Sequence, residues 1–271
     1  MSVRPERLVL LGSPVDHSLS PVFQNAALRS AGLQKIHYDA IDVSPPHLAS
    51  TLAALRDERA AGNITLPHKE AAYALCDFCL PEAVRAGAVN TFWSTTQGEL
   101  FGTNTDIGGF DNTARQLLGD AHADAKIALL GAGGAARAVL AAIEQWPGAE
   151  VVLWNRTRER AERLADRFDV IRRIDDDPRA AVHGATCVIN ATSIGLANDD
   201  QPVSLDDLSP SAVVMDLVYR AGGTAWVRAA VMRGMRASDG LPMLIEQGAL
   251  AFEAWFGFPA PRTIMRQSIE R

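Results

Sequence analysis

Gly131, Gly133 and Ala136 follow a short apolar run, Lys126–Leu130, in the order G-x-G-x-x-A, and they open a stretch with helical periodicity. A strand, a tight turn and a helix are the setting that the dinucleotide-binding fingerprint requires. Gly131 permits the turn, Gly133 lets the backbone approach a pyrophosphate, and the small Ala136 allows close helix–strand packing. The helix that follows, from Ala135, has free N–H groups and a dipole that favour an anion. The next apolar run, Glu150–Trp154, ends in Asn155, Arg156, Thr157, Arg158 and Arg160. An NAD site usually places a carboxylate here for the ribose hydroxyls. Guanidinium groups instead suit the 2′-phosphate of NADP, through paired charge-assisted hydrogen bonds. The plain alternative is a solvated helix start with ordinary surface arginines.

Three segments of the first half carry more polar residues than a fold needs. GSPVDHSLSP at 12–21 holds two hydroxyls, Ser18 and Ser20, able to grip a polyol or a carboxylate. NITLPHK at 63–69 places Thr65 and Lys69 where a strand ends and a helix begins. Asn90-Thr91 and then Asn104-Thr105-Asp106 form the third. Taken singly, a lysine after Pro-His is also an ordinary solvated first-turn residue, and an Asp in NTD an ordinary helix N-cap. Asn190 and Ser193 follow another strand and are expected at the nicotinamide end of the cofactor, with a plain turn as the competing reading.

Short apolar runs alternate with amphipathic stretches along nearly the whole chain, which predicts an α/β fold to hold these residues. Strands are expected at Leu8–Leu11, Ile36–Ile41, Asn63–Leu66, Ala88–Trp93, Lys126–Leu130, Glu150–Trp154, Thr186–Asn190, Ala212–Asp216 and Met235–Ser238. Helices are expected at Pro21–Ala31 (with Pro21 at the first helical position), His47–Arg56, Lys69–Cys76, Gly109–Leu118, Ala135–Glu144, Arg158–Phe168, Thr224–Met232 and Pro242–Trp255. The polar, glycine-rich GTNTDIGG makes Thr105–Gly109 the best boundary between two α/β halves.

Composition narrows the function. With 48% hydrophobic and 21% charged residues, neither disorder nor a fibrous class is indicated. A formal net charge of -6, with no basic stripe, argues against a nucleic-acid partner. No apolar run is long enough to cross a bilayer. The apolar run after Arg7 spans only about five residues, short of a signal-peptide core, and reads as a strand. Three cysteines make no disulfide framework, which fits a cytoplasmic protein. Cys76 and Cys79 lack the second pair that a structural zinc would need, so they read as two core cysteines on a helix, and no metal is expected.

GSPVDHSLSP, NITLPHK, AGAVNT, GTNTDIGGF, GAGGAARA, NRT, NATSIGL and GLPMLIEQGALAFEAW, in that order from residue 12 to about 257, together resemble the shikimate dehydrogenase family. The resemblance implies two domains. Residues 1–106, completed by helices in 241–271, would bind substrate, and residues 107–240 would form a Rossmann-type NADP-binding domain with a parallel sheet. It implies Ser18 and Ser20 at the shikimate carboxylate, and Thr65, Asn90, Asp106 and Gln247 at the ring hydroxyls, with Tyr219 nearby. Lys69 and Asp106 would be the catalytic pair. Gly131, Gly133, Gly134, Ala135, Asn155, Arg156, Thr157, Arg160, Asn190, Ser193 and Gly240 would meet the cofactor.

The chemistry asked of that pair is plain. Oxidising an alcohol to a ketone releases a hydride and a proton, so a proton acceptor must stand beside the reacting oxygen, and reduction needs a donor there. A partly desolvated lysine beside a carboxylate can serve in both directions. The implied activity interconverts 3-dehydroshikimate and shikimate in aromatic amino acid biosynthesis, by a monomer or a homodimer. The nearest alternative is a quinate or quinate/shikimate dehydrogenase. The paired serines and Arg156 favour shikimate and NADP. A non-catalytic NADP-binding sensor is the alternative from another class, and the presence of both Lys69 and Asp106 speaks against it. Two departures stand out: Ala61-Gly62-Asn63 leads into the lysine motif, and Arg220-Ala221-Gly222-Gly223 replaces a basic residue and proline, which predicts a looser loop after Tyr219.

Overall fold

The computed structural model describes residues 5–270. The chain divides into two compact units, one ending at Gly109 and resuming at Leu244, the other spanning Phe110–Met243.

In the first unit, β1 (Leu8–Gly12), β2 (Tyr38–Asp42), β3 (Ala61–Ile64), β4 (Phe78–Cys79), β5 (Thr91–Ser94) and β6 (Leu100–Thr103) form a mixed sheet ordered β2-β1-β3-β5-β6-β4. Strands β1, β2 and β3 run parallel, and β5 is antiparallel to both neighbours. β1 is apolar throughout because both its faces are covered. Leu8 and Leu10 join one core with Phe23, Tyr38, Phe252 and Trp255, while Val9 and Leu11 join another with Leu48, Leu52, Leu55 and Phe92. The helices of this unit are α1 (Ser20–Ser30), α2 (Leu48–Asp57), α3 (Lys69–Leu75), α4 (Pro81–Ala86), the start of α5 (Thr105–Leu118), most of α10 (Leu241–Phe256) and α11 (Arg262–Gln267).

The second unit holds β7 (Lys126–Leu130), β8 (Glu150–Trp154), β9 (Ile171–Asp175), β10 (Cys187–Asn190), β11 (Val213–Asp216) and β12 (Ala237–Ser238), all parallel and ordered β12-β11-β10-β7-β8-β9. Helices α6 (Gly134–Ile143), α7 (Arg158–Ala165), α8 (Pro178–Val182) and α9 (Ala225–Met232) connect them. Counted from β7 this is strand order 3-2-1-4-5-6, the doubly wound Rossmann sheet, whose ligand crevice lies at the carboxyl edge where the order reverses. That reversal falls between β7 and β10.

Several expected boundaries move, each for a local reason. β3 stops at Ile64, because Pro67 has no N–H for a ladder and Leu66 is 58% exposed. β5 begins at Thr91 rather than Ala88, since the Ala88 and Val89 N–H groups donate to the carbonyls of Ala83 and Lys69. α5 starts at Thr105 rather than Gly109. The glycines that read as a linker lie inside it, and a side chain on Gly109 would strike the Gln247 backbone at 2.8 Å. Pro21 occupies the second helical position, after Ser20. The expected helical placing of both cysteines is corrected: Cys76 caps α3 in an extended conformation and Cys79 lies in β4, both half-buried. Short β4 and the partly exposed edge strand β9, IRRID, carry too little apolar pattern to be read. The residues after Tyr219 form a turn. Gly223 N–H donates to the Arg220 carbonyl at 2.9 Å, and Arg220 binds Asp199 Oδ1 at 2.7 Å. Among the described residues no helix is long and apolar enough to cross a membrane, and no group of three or more acidic, His or Cys side chains could hold a metal ion.

Candidate active site

The polar segments of the first unit converge on one edge of its sheet. Ser18 and Ser20 follow the carboxyl end of β1, Thr65 and Lys69 follow that of β3, and Thr105 and Asp106 follow that of β6. Asn90 stands at the start of the antiparallel β5, which faces the same edge. Lys69 is the first residue of α3 and Asp106 lies in the first turn of α5. Lys69 Nζ lies 2.6 Å from Asp106 Oδ2, with side chains 15% and 7% exposed. A carboxylate at a helix start is favoured by the dipole, an ammonium is not, so Asp106 is what holds the Lys69 charge in place.

Beside this pair the amide of Asn90 is oriented by its surroundings. Its Oδ1 accepts from the Thr105 N–H at 2.7 Å, which leaves Nδ2 to donate to Thr105 Oγ1 at 3.1 Å and Gln247 Oε1 at 3.3 Å. Gln247 Nε2 in turn donates to the Leu244 carbonyl at 2.8 Å. Thr65 lies over the end of β1, its N–H on the Leu11 carbonyl and its methyl against Gly12. Ser18 Oγ accepts from the Ser20 N–H at 3.2 Å, and Ser20 is buried. The structure therefore joins Lys69 with Asp106 and Asn90 with Gln247, and places Ser18, Ser20 and Thr65 along the same edge.

A buried layer beneath these groups was not singled out by residue type. Tyr38 Oη donates to Asn63 Oδ1 at 2.7 Å, and Asn63 Nδ2 donates to the Asn90 carbonyl at 3.1 Å and Thr91 Oγ1 at 3.0 Å. Burial raises the Tyr38 hydroxyl well above its ordinary range, so it stays a neutral donor. Asn63 sat in a visible polar motif, whereas Tyr38 looked like any strand tyrosine. His68 is structural: it is buried, with Nε2 2.5 Å from the Val43 carbonyl.

In the second unit Gly131 has φ +112, and a Cβ there would meet the Ala191 carbonyl oxygen at 2.7 Å, so only glycine fits this turn. Gly133 caps α6 with open space around it, Gly134 is the first helical residue and Ala135 follows. Asn155 ties the glycine turn to the loop after β8, accepting from the Ala132 N–H at 3.1 Å and donating to the Thr157 carbonyl at 2.7 Å. Arg158 is held by Glu162 and Asp176. Arg156 and Arg160 are exposed and have no side-chain partner among the described residues. A helix N-terminus behind an open glycine, with uncommitted guanidinium groups after the next strand, fits a dinucleotide carrying a 2′-phosphate.

Asn190 is fully buried and its amide is spent on protein. Nδ2 donates to Asp216 Oδ1 at 2.8 Å and to the Ile194 carbonyl at 3.1 Å, while Oδ1 accepts from the Thr192 N–H at 3.0 Å and hydroxyl at 2.6 Å. It shapes the turn on which exposed Ser193 stands. Gly240 donates its N–H to the Val218 carbonyl at 2.9 Å, beside half-buried Tyr219.

Fold and site define a class: a two-unit α/β protein with a dinucleotide-binding unit and a site built round a lysine–carboxylate pair. The model of the shikimate dehydrogenase substrate binding domain matches residues 10–92, that of shikimate / quinate 5-dehydrogenase residues 112–197, and that of the shikimate 5'-dehydrogenase C-terminal domain residues 240–270. A shikimate dehydrogenase (NADP(+)) of Thermus thermophilus is 41% identical over 98% of both chains. The crystal structure of the Aquifex aeolicus shikimate dehydrogenase superposes with TM-score 0.91 at 35% identity, covering 98% of each chain. That of the Thermus thermophilus enzyme in complex with NADP(H) and shikimate superposes with TM-score 0.84 at 39% identity, covering 97% of each. The chain belongs to the shikimate dehydrogenase family.

Proposed function

We propose that this protein interconverts 3-dehydroshikimate and shikimate with NADP(H), as an aromatic-biosynthesis enzyme of the cytoplasm. The single observation that carries the chemistry is the Lys69–Asp106 pair, 2.6 Å apart and largely desolvated beside the oriented amides of Asn90 and Gln247. In reduction, the Lys69 ammonium gives a proton to the carbonyl oxygen as that oxygen becomes a hydroxyl. In oxidation, the neutral amine takes it back. Asp106 orients the ammonium and accepts from a neighbouring ring hydroxyl. Thr65, Asn90 and Gln247 read the hydroxyl pattern of the ring. Ser18 and Ser20 hold the carboxylate, and Tyr219 adds a contact near the substrate.

NADPH, when bound, supplies the hydride that goes to the carbonyl carbon. Gly131, Gly133, Gly134 and Ala135 would cradle its pyrophosphate, and Asn155, Arg156, Thr157 and Arg160 would hold the adenosine end with its 2′-phosphate. Ser193, on the turn organised by Asn190, and Gly240 lie toward the nicotinamide. The first unit is thus the substrate domain and the second the cofactor domain.

The test is an activity matrix of shikimate and quinate, each with NADP and NAD, followed by absorbance of the reduced nicotinamide. Turnover confined to shikimate with NADP is expected. Comparable turnover of quinate, or with NAD, would move the protein to the quinate/shikimate branch and overturn the reading of the serines and Arg156.

A further inference from the structure

Asp216 is a carboxylate 1% exposed, and no cation pairs with it among the described residues. Its cross-strand partner is Asn190, which itself pairs with Leu130, so the three stand in one row at the carboxyl ends of β11, β10 and β7. That row borders the switch point where a dinucleotide lies in this sheet. A buried carboxylate is expensive unless donors surround it, and three do: Thr224 Oγ1 on Oδ2 at 2.8 Å, and Asn190 Nδ2 at 2.8 Å and the Val218 N–H at 3.0 Å on Oδ1.

The donors lead to different loops. Because Asp216 only accepts, Asn190 must turn its Nδ2 inward and its Oδ1 toward Thr192, which closes the turn 190–194. The Ala191 carbonyl of that turn is the surface against which Gly131 packs. The Val218 N–H fixes the other loop. It carries Tyr219, and its Leu217 carbonyl lies so near Gly240 that a Cβ there would stand 2.2 Å away. Burial pushes the Asp216 carboxyl up, and the hydrogen bonds from Thr224, Val218 and Asn190 oppose this.

We infer that Asp216 is a positioning residue for the cofactor: through one oxygen it sets both the Ala191–Ile194 turn behind the glycine loop and the Leu217–Tyr219 segment before Gly240. This rests on the NADP reading above and assigns it a residue that touches neither substrate nor cofactor.

The experiment measures NADPH dissociation constants by nicotinamide fluorescence, with melting temperatures and kcat alongside, for the wild type, Asp216→Ala, Asp216→Asn and Thr192→Val. Asp216→Ala removes both anchors and is expected to weaken NADPH roughly tenfold or more, since a charged group's hydrogen bonds are lost. Asp216→Asn keeps an oxygen for Asn190 and Val218, while the Thr224 hydroxyl can accept from the new amide, so it should recover most of the lost affinity. Thr192→Val, in a half-exposed turn, should weaken NADPH severalfold with little change in melting temperature. Wild-type affinity in Asp216→Ala, or equal losses in Asp216→Ala and Asp216→Asn, would overturn the inference. If Asp216→Ala does not fold, unchanged affinity in Thr192→Val overturns it. A wild type that does not bind NADPH would sink the cofactor reading instead.

Discussion

The Lys69 ammonium and the Asp106 carboxylate meet at 2.6 Å although 37 residues separate them in the chain. Each stands in the first turn of its own helix, at one edge of the mixed sheet. Lys69→Ala should lower kcat roughly 10²–10⁴-fold, the contribution of a positioned acid–base group. Asp106→Asn should also lower kcat. The double variant should fall well short of the product of the two losses, because groups acting as a unit are non-additive. Steady-state rates at saturating substrate check this, and a drop below tenfold for Lys69→Ala would take it out of the proton-transfer role.

Arg156 has no side-chain partner among the described residues, so its removal reports directly on the nucleotide. Arg156→Ala should weaken NADPH about tenfold to a hundredfold, the range of a hydrogen bond to a charged group, and leave NADH nearly unchanged. Fluorescence titration with both nucleotides decides it. Equal losses would mean that the arginine does not meet the 2′-phosphate.

How far these features were legible in the sequence depended on how local their causes are. β7 and β8 begin and end where the apolar runs do, because Gly131 and Asn155 stop them and both faces are covered. β9 escaped notice because Arg172 and Arg173 sit in an edge strand, where solvent removes the need for apolar side chains. Gly108 and Gly109 looked like a linker because close packing against α10 is a tertiary fact. Lys69 and Asp106 lie in polar segments visible in the sequence, but their pairing followed only from the family motifs, since no helical or strand period relates positions so far apart. Tyr38 and Thr224 gave no signal. Each is an ordinary residue for its element until the fold sets Asn63 or Asp216 opposite it.

Tyr38 lies beneath the proposed substrate site, linked to Asn90 through Asn63. Tyr38→Phe removes the donor to Asn63 Oδ1 and leaves that oxygen buried without it, which costs about 1–3 kcal/mol. The slackened Asn63 still reaches the Asn90 carbonyl and Thr91, so Asn90 should shift rather than collapse. Chemical denaturation should show the stability loss, and kinetics a severalfold rise in KM for shikimate with kcat nearly kept. A fall in kcat with KM unchanged would place Tyr38 in the chemistry and contradict this assignment.

The C-terminal ion cluster of the first unit gives a pH signature. Arg262 Nη1 lies 2.5 Å from Glu253 Oε1, its Nε lies 3.1 Å from Glu246 Oε2, and the Ala260 N–H donates to Glu253 Oε1 at 3.0 Å. Burial alone would raise the Glu253 carboxyl, but Arg262 and the Ala260 N–H outweigh it and hold it below its ordinary 4.5. A carboxyl depressed in the folded state binds fewer protons there than in the unfolded chain. Its stabilisation is therefore complete above 4.5 and fades as pH falls through the lower folded value. Glu253→Gln keeps the shape and an acceptor oxygen but removes the charge, and Glu246 still holds Arg262, so the loss at neutral pH should be only about 1 kcal/mol. Urea unfolding from pH 7 downward should show the wild type ahead of Glu253→Gln at neutral pH and the gap closing once the carboxyl protonates. A gap that widened in acid would reverse the sign of the linkage and show that Glu253 is not held ionised by Arg262.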